Sequence, residues 1–154
     1  YHQKKDFSII PILCSSFGSI DEENRNPRQI PQFEEFASSL KQAISESGKK
    51  ICLIASVDLA HVGARFGDRE LQDDAYLKRL SSDDIDMLKY VEKLDAEGFH
   101  NSIQKDNNSR KICGYPAMYT FLNVIEASEG RLLKYAQFPD QTNSTVSFAS
   151  MAFY

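Results

Sequence analysis

Asp58 and His61 are the residues of this sequence whose types and spacing best suit chemistry. A D-x-x-H spacing brings both side chains to one face of a helix or tight turn. A carboxylate beside an imidazole orients the ring and raises its basicity, which makes a general base or part of a metal site. A plainer reading has Asp58 capping the next helix and His61 as a satisfied, partly buried histidine. The spacing alone leaves both open. Cys113 is the next candidate. It stands just before a helix opened by Pro116, a favoured first-turn residue, with Arg110 and Lys111 close by. A helix N-terminus and nearby cations stabilise a thiolate, which ligates a metal or attacks as a nucleophile. The alternative is a cysteine acting as a small apolar side chain. Cys113, His61 and Asp58 together also have the types of a hydrolase nucleophile, base and orienter, although their order and local motifs match no hydrolase signature.

The other reactive types carry less. Cys14 and Cys52 fall within apolar runs and are expected to pack there. His2 sits in a terminal tail, and His100 is expected at the surface of a polar helix. Tyr115 and Tyr119 either line a pocket or pack the core. Asp73-Asp74 and Asp83-Asp84 read as solvated or first-turn acids.

The elements that must position these residues alternate between strand and helix patterns. Phe7–Leu13 is a β-rich run interrupted by Pro11, which suits an edge strand. Residues 18–31 form a polar loop with Gly18, Pro27 and Pro31. Phe33, Phe36, Ala37, Leu40, Ala43 and Ile44 recur at helical spacing between Gln32 and Ser47, before Gly48. Ile51–Ala55 is continuously apolar and too short for a helix, so a central strand covered on both faces is expected, delivering Asp58 at its carboxyl end. Helices are expected over residues 68–80, 83–94, 95–104 and 117–128, with strands over 132–138 and 145–153 joined by a turn and pairing antiparallel. This is an α/β chain, a mixed β-sheet flanked by helices, in one domain over residues 1–154.

The composition is that of an ordinary globular domain, 42% hydrophobic and 26% charged over 154 residues. The net charge of −4 supplies no basic face for nucleic acid or an anionic membrane. No apolar run has the length of a membrane span, and no signal peptide is visible. Three cysteines without a framework spacing suit reduced thiols in a cytoplasmic protein. The chain opens on Tyr1 without an initiator Met, as the ordered or trimmed part of something longer would.

Taken together, these segments resemble the Memo family, which includes bacterial proteins called AmmeMemoRadiSam system protein B. Ala55-Ser56-Val57-Asp58-Leu59-Ala60-His61-Val62-Gly63 is similar to its "S-S-D-L-S-H-x-G" stretch, and Ile112-Cys113-Gly114-Tyr115 to its "C-G" loop. Asp95-Ala96-Glu97-Gly98-Phe99 resembles its "D-P-E-x-F" helix start, and the segments 7–13 and 146–152 resemble its flanking strands. Ala60 stands where Ser is usual, Val62 where an aromatic is usual, and Pro116 where Gly or a polar residue is common. The resemblance implies a fold similar to class III extradiol dioxygenases, non-haem iron enzymes. It implies that His61 matches their acid/base histidine, that Asp58 lies beside it, and that Cys113 takes the place of a metal-binding carboxylate. The family's two other ligand histidines lie in an amino-terminal half that nothing here matches. The expectation is therefore the carboxyl-terminal portion of a Memo-like protein. It would bind iron or copper at an incomplete site, with oxidoreductase-like activity only once the amino-terminal ligands are present. The resemblance also allows a non-catalytic scaffold with a peptide or phosphopeptide in the same pocket. The expected partner is a small molecule or peptide, with no nucleic acid and no membrane.

Overall fold

The computed structural model describes residues 7–17, 26–70 and 72–154. Helix α1 (Pro31–Glu46) starts on Pro31, whose fixed φ suits the first turn, and buries Phe33 and Ala37. Leu40 and Ile44 continue the same stripe against the core. Strand β1 (His61–Gly63) is short and runs into a 3-10 turn at Ala64–Phe66. Helix α2 (Asp74–Glu92) is capped by Asp73, whose carboxylate accepts the Tyr76 N–H at 2.7 Å. Helix α3 (Ala96–Gln104) is capped the same way by Asp95 on Gly98. Helix α4 (Tyr115–Val124) opens with Pro116 in its first turn. Strands β2 (Gly130–Pro139) and β3 (Ser144–Phe153) form a hairpin from Gly130↔Phe153 to Pro139↔Thr145.

The sheet order is β1-β3-β2, and both pairings are antiparallel. Helices flank the sheet in an α/β arrangement. Helix α2 packs against α3 and β2, and α4 packs against α1 and α3. One apolar cluster runs from Leu59, Ala60 and Val62 through Leu88 and Val91 of α2 to Tyr119 of α4. At its far end Phe17, Phe33 and Tyr119 meet edge-on or tilted, with ring centroids 5.4 to 5.9 Å apart, an arrangement that ring quadrupoles favour.

Several expectations from sequence change here. Phe7–Leu13 and Ile51–Ala55 have no ladder partner among the described residues. Leu13 is 97% and Ile54 81% exposed, so Ile51–Ala55 is not a strand covered on both faces. Only Leu53 and Val57 of that stretch pack on the core. Composition makes a segment willing to be a strand, but a ladder needs a neighbouring strand, which the described residues do not provide. The two helices expected over residues 68–94 are one, α2, because Ser81-Ser82-Asp83 contains no Gly or Pro to break it. Helix α4 starts two residues earlier than expected and ends at Val124, where Ile125 turns extended. The loop expected over residues 18–31 lies partly outside the described residues; within them, Pro27–Gln29 forms a 3-10 turn.

Candidate functional site

The Asp58–His61 segment is fixed by its backbone. The Leu59 N–H donates to the Ser147 carbonyl at 2.9 Å, and the Ser147 N–H donates to the Ala60 carbonyl at 3.0 Å. The Ala60 N–H donates to Ser147 Oγ at 2.9 Å. The His61 N–H donates to the Arg110 carbonyl at 2.8 Å. Leu59, Ala60 and Val62 are buried in the core, so the side chains between them turn outward. Gly63 closes the segment with φ +106, where a Cβ would sit 2.3 Å from the Asn143 carbonyl oxygen. Both the backbone conformation and the close approach require glycine there.

The imidazole of His61 has a defined orientation. Nδ1 lies 3.2 Å from the Leu59 carbonyl oxygen. A carbonyl only accepts, so this contact is a hydrogen bond in the tautomer that carries its proton on Nδ1. Nε2 lies 3.9 Å from Asp58 Oδ2, and the ring stands edge-on to Phe66 with centroids 5.1 Å apart. The His61 side chain is 20% exposed and that of Asp58 is 55% exposed, so the pair opens to solvent. Asp58 caps no helix, which removes the plainer reading of this residue.

Cys113 meets the same segment from the other side. Its Sγ lies 3.8 Å from the Asp58 carbonyl oxygen, and Gly114 explains the approach. A Cβ at Gly114 would sit 2.5 Å from the Asp58 carbonyl oxygen and 2.7 Å from Val57 Cγ2. The Cys-Gly pair therefore lets two backbones touch so that the thiol reaches Asp58. The expected thiolate activation is absent. Cys113 is exposed, yet loss of solvent where it packs on Asp58 raises the thiol pKa; a hydrogen bond to Asp58 lowers it and the Asp58 charge raises it again. Arg110 and Lys111 do not counter this, because Arg110 pairs inward with Asp84 and Lys111 pairs with Asp68. Two conditions for a cysteine hydrolase, a lowered thiol pKa and a close base, are thus missing from the described contacts.

Other candidates also move. His100 is buried, not at the surface: Nδ1 is 2.6 Å from the Tyr115 hydroxyl, and both rings pack in the core. Tyr115 and Tyr119 are core residues, and the Tyr119 hydroxyl donates to Glu97 at 2.7 Å. Cys52 is exposed rather than packed, and Cys14 is half-buried. His2 lies outside the described residues.

The sequence reading missed Asp84. It is fully buried in α2 and gathers three side chains: Arg110 Nη1 at 2.5 Å, Ser147 Oγ at 2.6 Å and the Tyr135 hydroxyl at 2.9 Å. Burial raises its pKa, while Ser147, Arg110 and Tyr135 pull it back down. A signal was available. Leu80, Asp84, Leu88 and Val91 share one helical stripe, so an acid on that stripe had to be buried and paired. His100 gives the same signal between Ala96, Phe99 and Ile103.

A cavity of about 590 Å³ lies between the 51–59 segment, α1, α4 and β3. Its lining is mainly apolar, with Lys41 and Glu126 as its charges, and it includes neither Asp58, His61 nor Cys113. The candidate polar site is thus an open face beside the core, separate from this cavity.

Residues 2–152 match the family described as Memo-like protein. This chain belongs to that family. It is similar to a MEMO1 family protein of Aquifex aeolicus (strain VF5), 32% identical over 125 residues that cover 79% of this chain and 32% of the relative. It is also similar to a MEMO1 family protein of Methanosarcina mazei (strain ATCC BAA-159 / DSM 3647 / Goe1 / Go1 / JCM 11833 / OCM 88), 29% identical over 143 residues, 91% of this chain and 44% of the relative. The MEMO1 family protein Mbar_A1422 of Methanosarcina barkeri (strain Fusaro / DSM 804) is 27% identical over 157 residues, 98% of this chain and 50% of the relative. The Memo-like chain therefore spans half or less of the length of these curated relatives. Among the described residues, no group of three or more His, Cys, Asp or Glu side chains is placed to hold a metal ion. Three protein ligands is the usual minimum, so Cys113 and His61 do not by themselves make a metal centre. Among the described residues, no helix is long and apolar enough to cross a membrane.

Proposed function

We propose that this Memo-like chain contributes the proton-handling wall of a dioxygenase-like pocket for a small-molecule ligand. His61 is its acid/base group, Asp58 its orienting and charge-stabilising neighbour, and Cys113 a single soft donor toward iron or copper. The remaining ligands of such an ion would come from other residues than these. The observation that carries the reading is the Nδ1 contact of His61 with the Leu59 carbonyl at 3.2 Å, which leaves Nε2 free to take a proton beside the Asp58 carboxylate. The exposure of the pair leaves room for a ligand.

The test uses the full-length protein. Elemental analysis should find iron or copper in the unaltered protein and markedly less in Cys113→Ala. His61→Ala should keep the metal and lose turnover of a catechol-type substrate. Protein without redox metal, indifferent to Cys113→Ala, would refute the metal reading. A second reading is a non-catalytic peptide- or phosphopeptide-binding scaffold. It draws support from the solvent-open Asp58–His61 face, where Asp58 is 55% exposed. Turnover that depends on His61 would exclude it.

A further inference from the structure

The candidate site is built from two chain segments far apart in sequence, and both are anchored to the same buried carboxylate. One anchor runs through Ser147: its Oγ donates to Asp84 Oδ2 at 2.6 Å and accepts the Ala60 N–H at 2.9 Å. The Ser147 backbone also brackets Leu59 and Ala60. The other runs through Arg110: its Nη1 donates to Asp84 Oδ1 at 2.5 Å, and its carbonyl accepts the His61 N–H at 2.8 Å. Arg110 is three residues before Cys113 and is itself buried, so its backbone follows its side chain. The Tyr135 hydroxyl, a third donor to Asp84 Oδ2 at 2.9 Å, comes from β2 and also meets Ser147, so it belongs to the same network.

We propose that Asp84 is the positioning residue of this site, a buried carboxylate that sets the Leu59–His61 backbone through Ser147 and the Arg110–Cys113 loop through Arg110. The carboxylate has two oxygens and uses one for each arm. Leu59 supplies the carbonyl that orients the His61 ring, so the Ser147 arm controls that ring. The Arg110 arm controls how closely Cys113 packs on Asp58. Replacing the carboxylate by an amide at constant volume leaves the buried Arg110 guanidinium with only Asp106, 3.5 Å from its Nε, as counter-charge, which favours displacement of the loop. The proposal rests on reading Asp58, His61 and Cys113 as one site, and it is independent of whether that site holds a metal.

The test compares Asp84→Asn, Ser147→Ala and Asp95→Ala in the full-length protein, with urea midpoints measured for each. One readout is alkylation of Cys113 by iodoacetamide, followed at that residue by peptide mass spectrometry. The second is the ¹⁵N signature of the His61 ring, which reports its tautomer. In Asp84→Asn, Cys113 should alkylate about threefold faster or more as the thiol loosens from Asp58. The His61 signal should move from a single Nδ1–H tautomer towards a mixture. Ser147→Ala should change the His61 signal and leave Cys113 nearly unmoved. Asp95→Ala, which removes a helix cap outside the Asp84 network, should lower stability while changing neither readout, which separates positioning from general loosening. If Asp84→Asn does not fold, the contrast between Ser147→Ala and Asp95→Ala decides alone. Unchanged readouts in folded Asp84→Asn overturn the proposal, as does Asp95→Ala matching Ser147→Ala. Because neither readout involves bound metal or turnover, loss of the metal reading would leave this result standing.

Discussion

At the scale of single residues, close contact governs the site. Gly114 is packed so tightly that a methyl group would press on the Asp58 carbonyl at 2.5 Å. Gly114→Ala should cost about 1–3 kcal/mol, the usual range for overpacking, read as a lower urea midpoint. It should also displace Cys113 from Asp58. The Cys-Gly pair was legible in the sequence as a motif, but its reason was not. Glycine here serves backbone approach, with an ordinary φ of −72, and no local pattern shows which distant backbone will arrive. The activation of Cys113 was misread for a similar reason. Arg110 and Lys111 are adjacent in sequence, but where their charges point depends on Asp84 and Asp68, which lie 26 and 43 residues away.

At the scale of elements, the helical periods and the closing hairpin were the most readable features, while the caps were not read as caps. Asp95 accepts the Gly98 N–H at 2.8 Å, so Asp95→Ala should destabilise the fold by about 1 kcal/mol, measured by urea denaturation. The β2–β3 turn depends on Asp140. Its carboxylate accepts from the Thr142 hydroxyl, the Arg65 guanidinium and the Thr142 and Ser144 backbone N–H groups, which hold its pKa at about 2. A depressed carboxylate contributes stability above its unfolded pKa, and that stability is lost as the pH falls towards about 2. Asp140→Asn should flatten this acid-side loss in urea midpoints measured at falling pH. The β-rich run Ile51–Ala55 shows the limit of element-level reading. Its type was legible as strand-like, but pairing is a property of two segments, and no strand among the described residues pairs with it.

At the scale of the whole molecule, the buried Asp84–Arg110 pair couples α2, β3 and the loop before α4. Removing one partner of such a pair typically costs about 3–5 kcal/mol, because the other charge stays buried. Asp84→Ala should therefore unfold at far lower urea than the parent. The pH sign is opposite to that of Asp140. Burial raises the Asp84 pKa, so between its unfolded and folded values the folded state holds a proton that the unfolded chain has released. Stability from this group is greatest below its unfolded pKa and falls as the pH rises through that window. A plot of urea midpoint against pH should lose this downward component in Asp84→Asn. Two exposed apolar segments are the other whole-molecule feature, with Ile10 84% and Ile54 81% exposed. Large exposed apolar patches bind dyes and promote association. Ile10→Lys with Ile54→Lys should reduce fluorescence of a bound apolar dye with little change in the urea midpoint.

The sequence by itself determined the family, the α/β class, most helices and the terminal hairpin, and it singled out Asp58, His61 and Cys113 as candidates. These follow from local period and short motifs, which act over a few residues. Only the tertiary structure decided that the His61 ring is set by the Leu59 carbonyl and that the cations near Cys113 are used elsewhere. It also decided that a buried acid on α2 stands behind both halves of the site. Those facts depend on which surfaces meet. A buried charge gains its partners from any distance along the chain, and only the packed fold brings Asp84, Arg110 and Ser147 together.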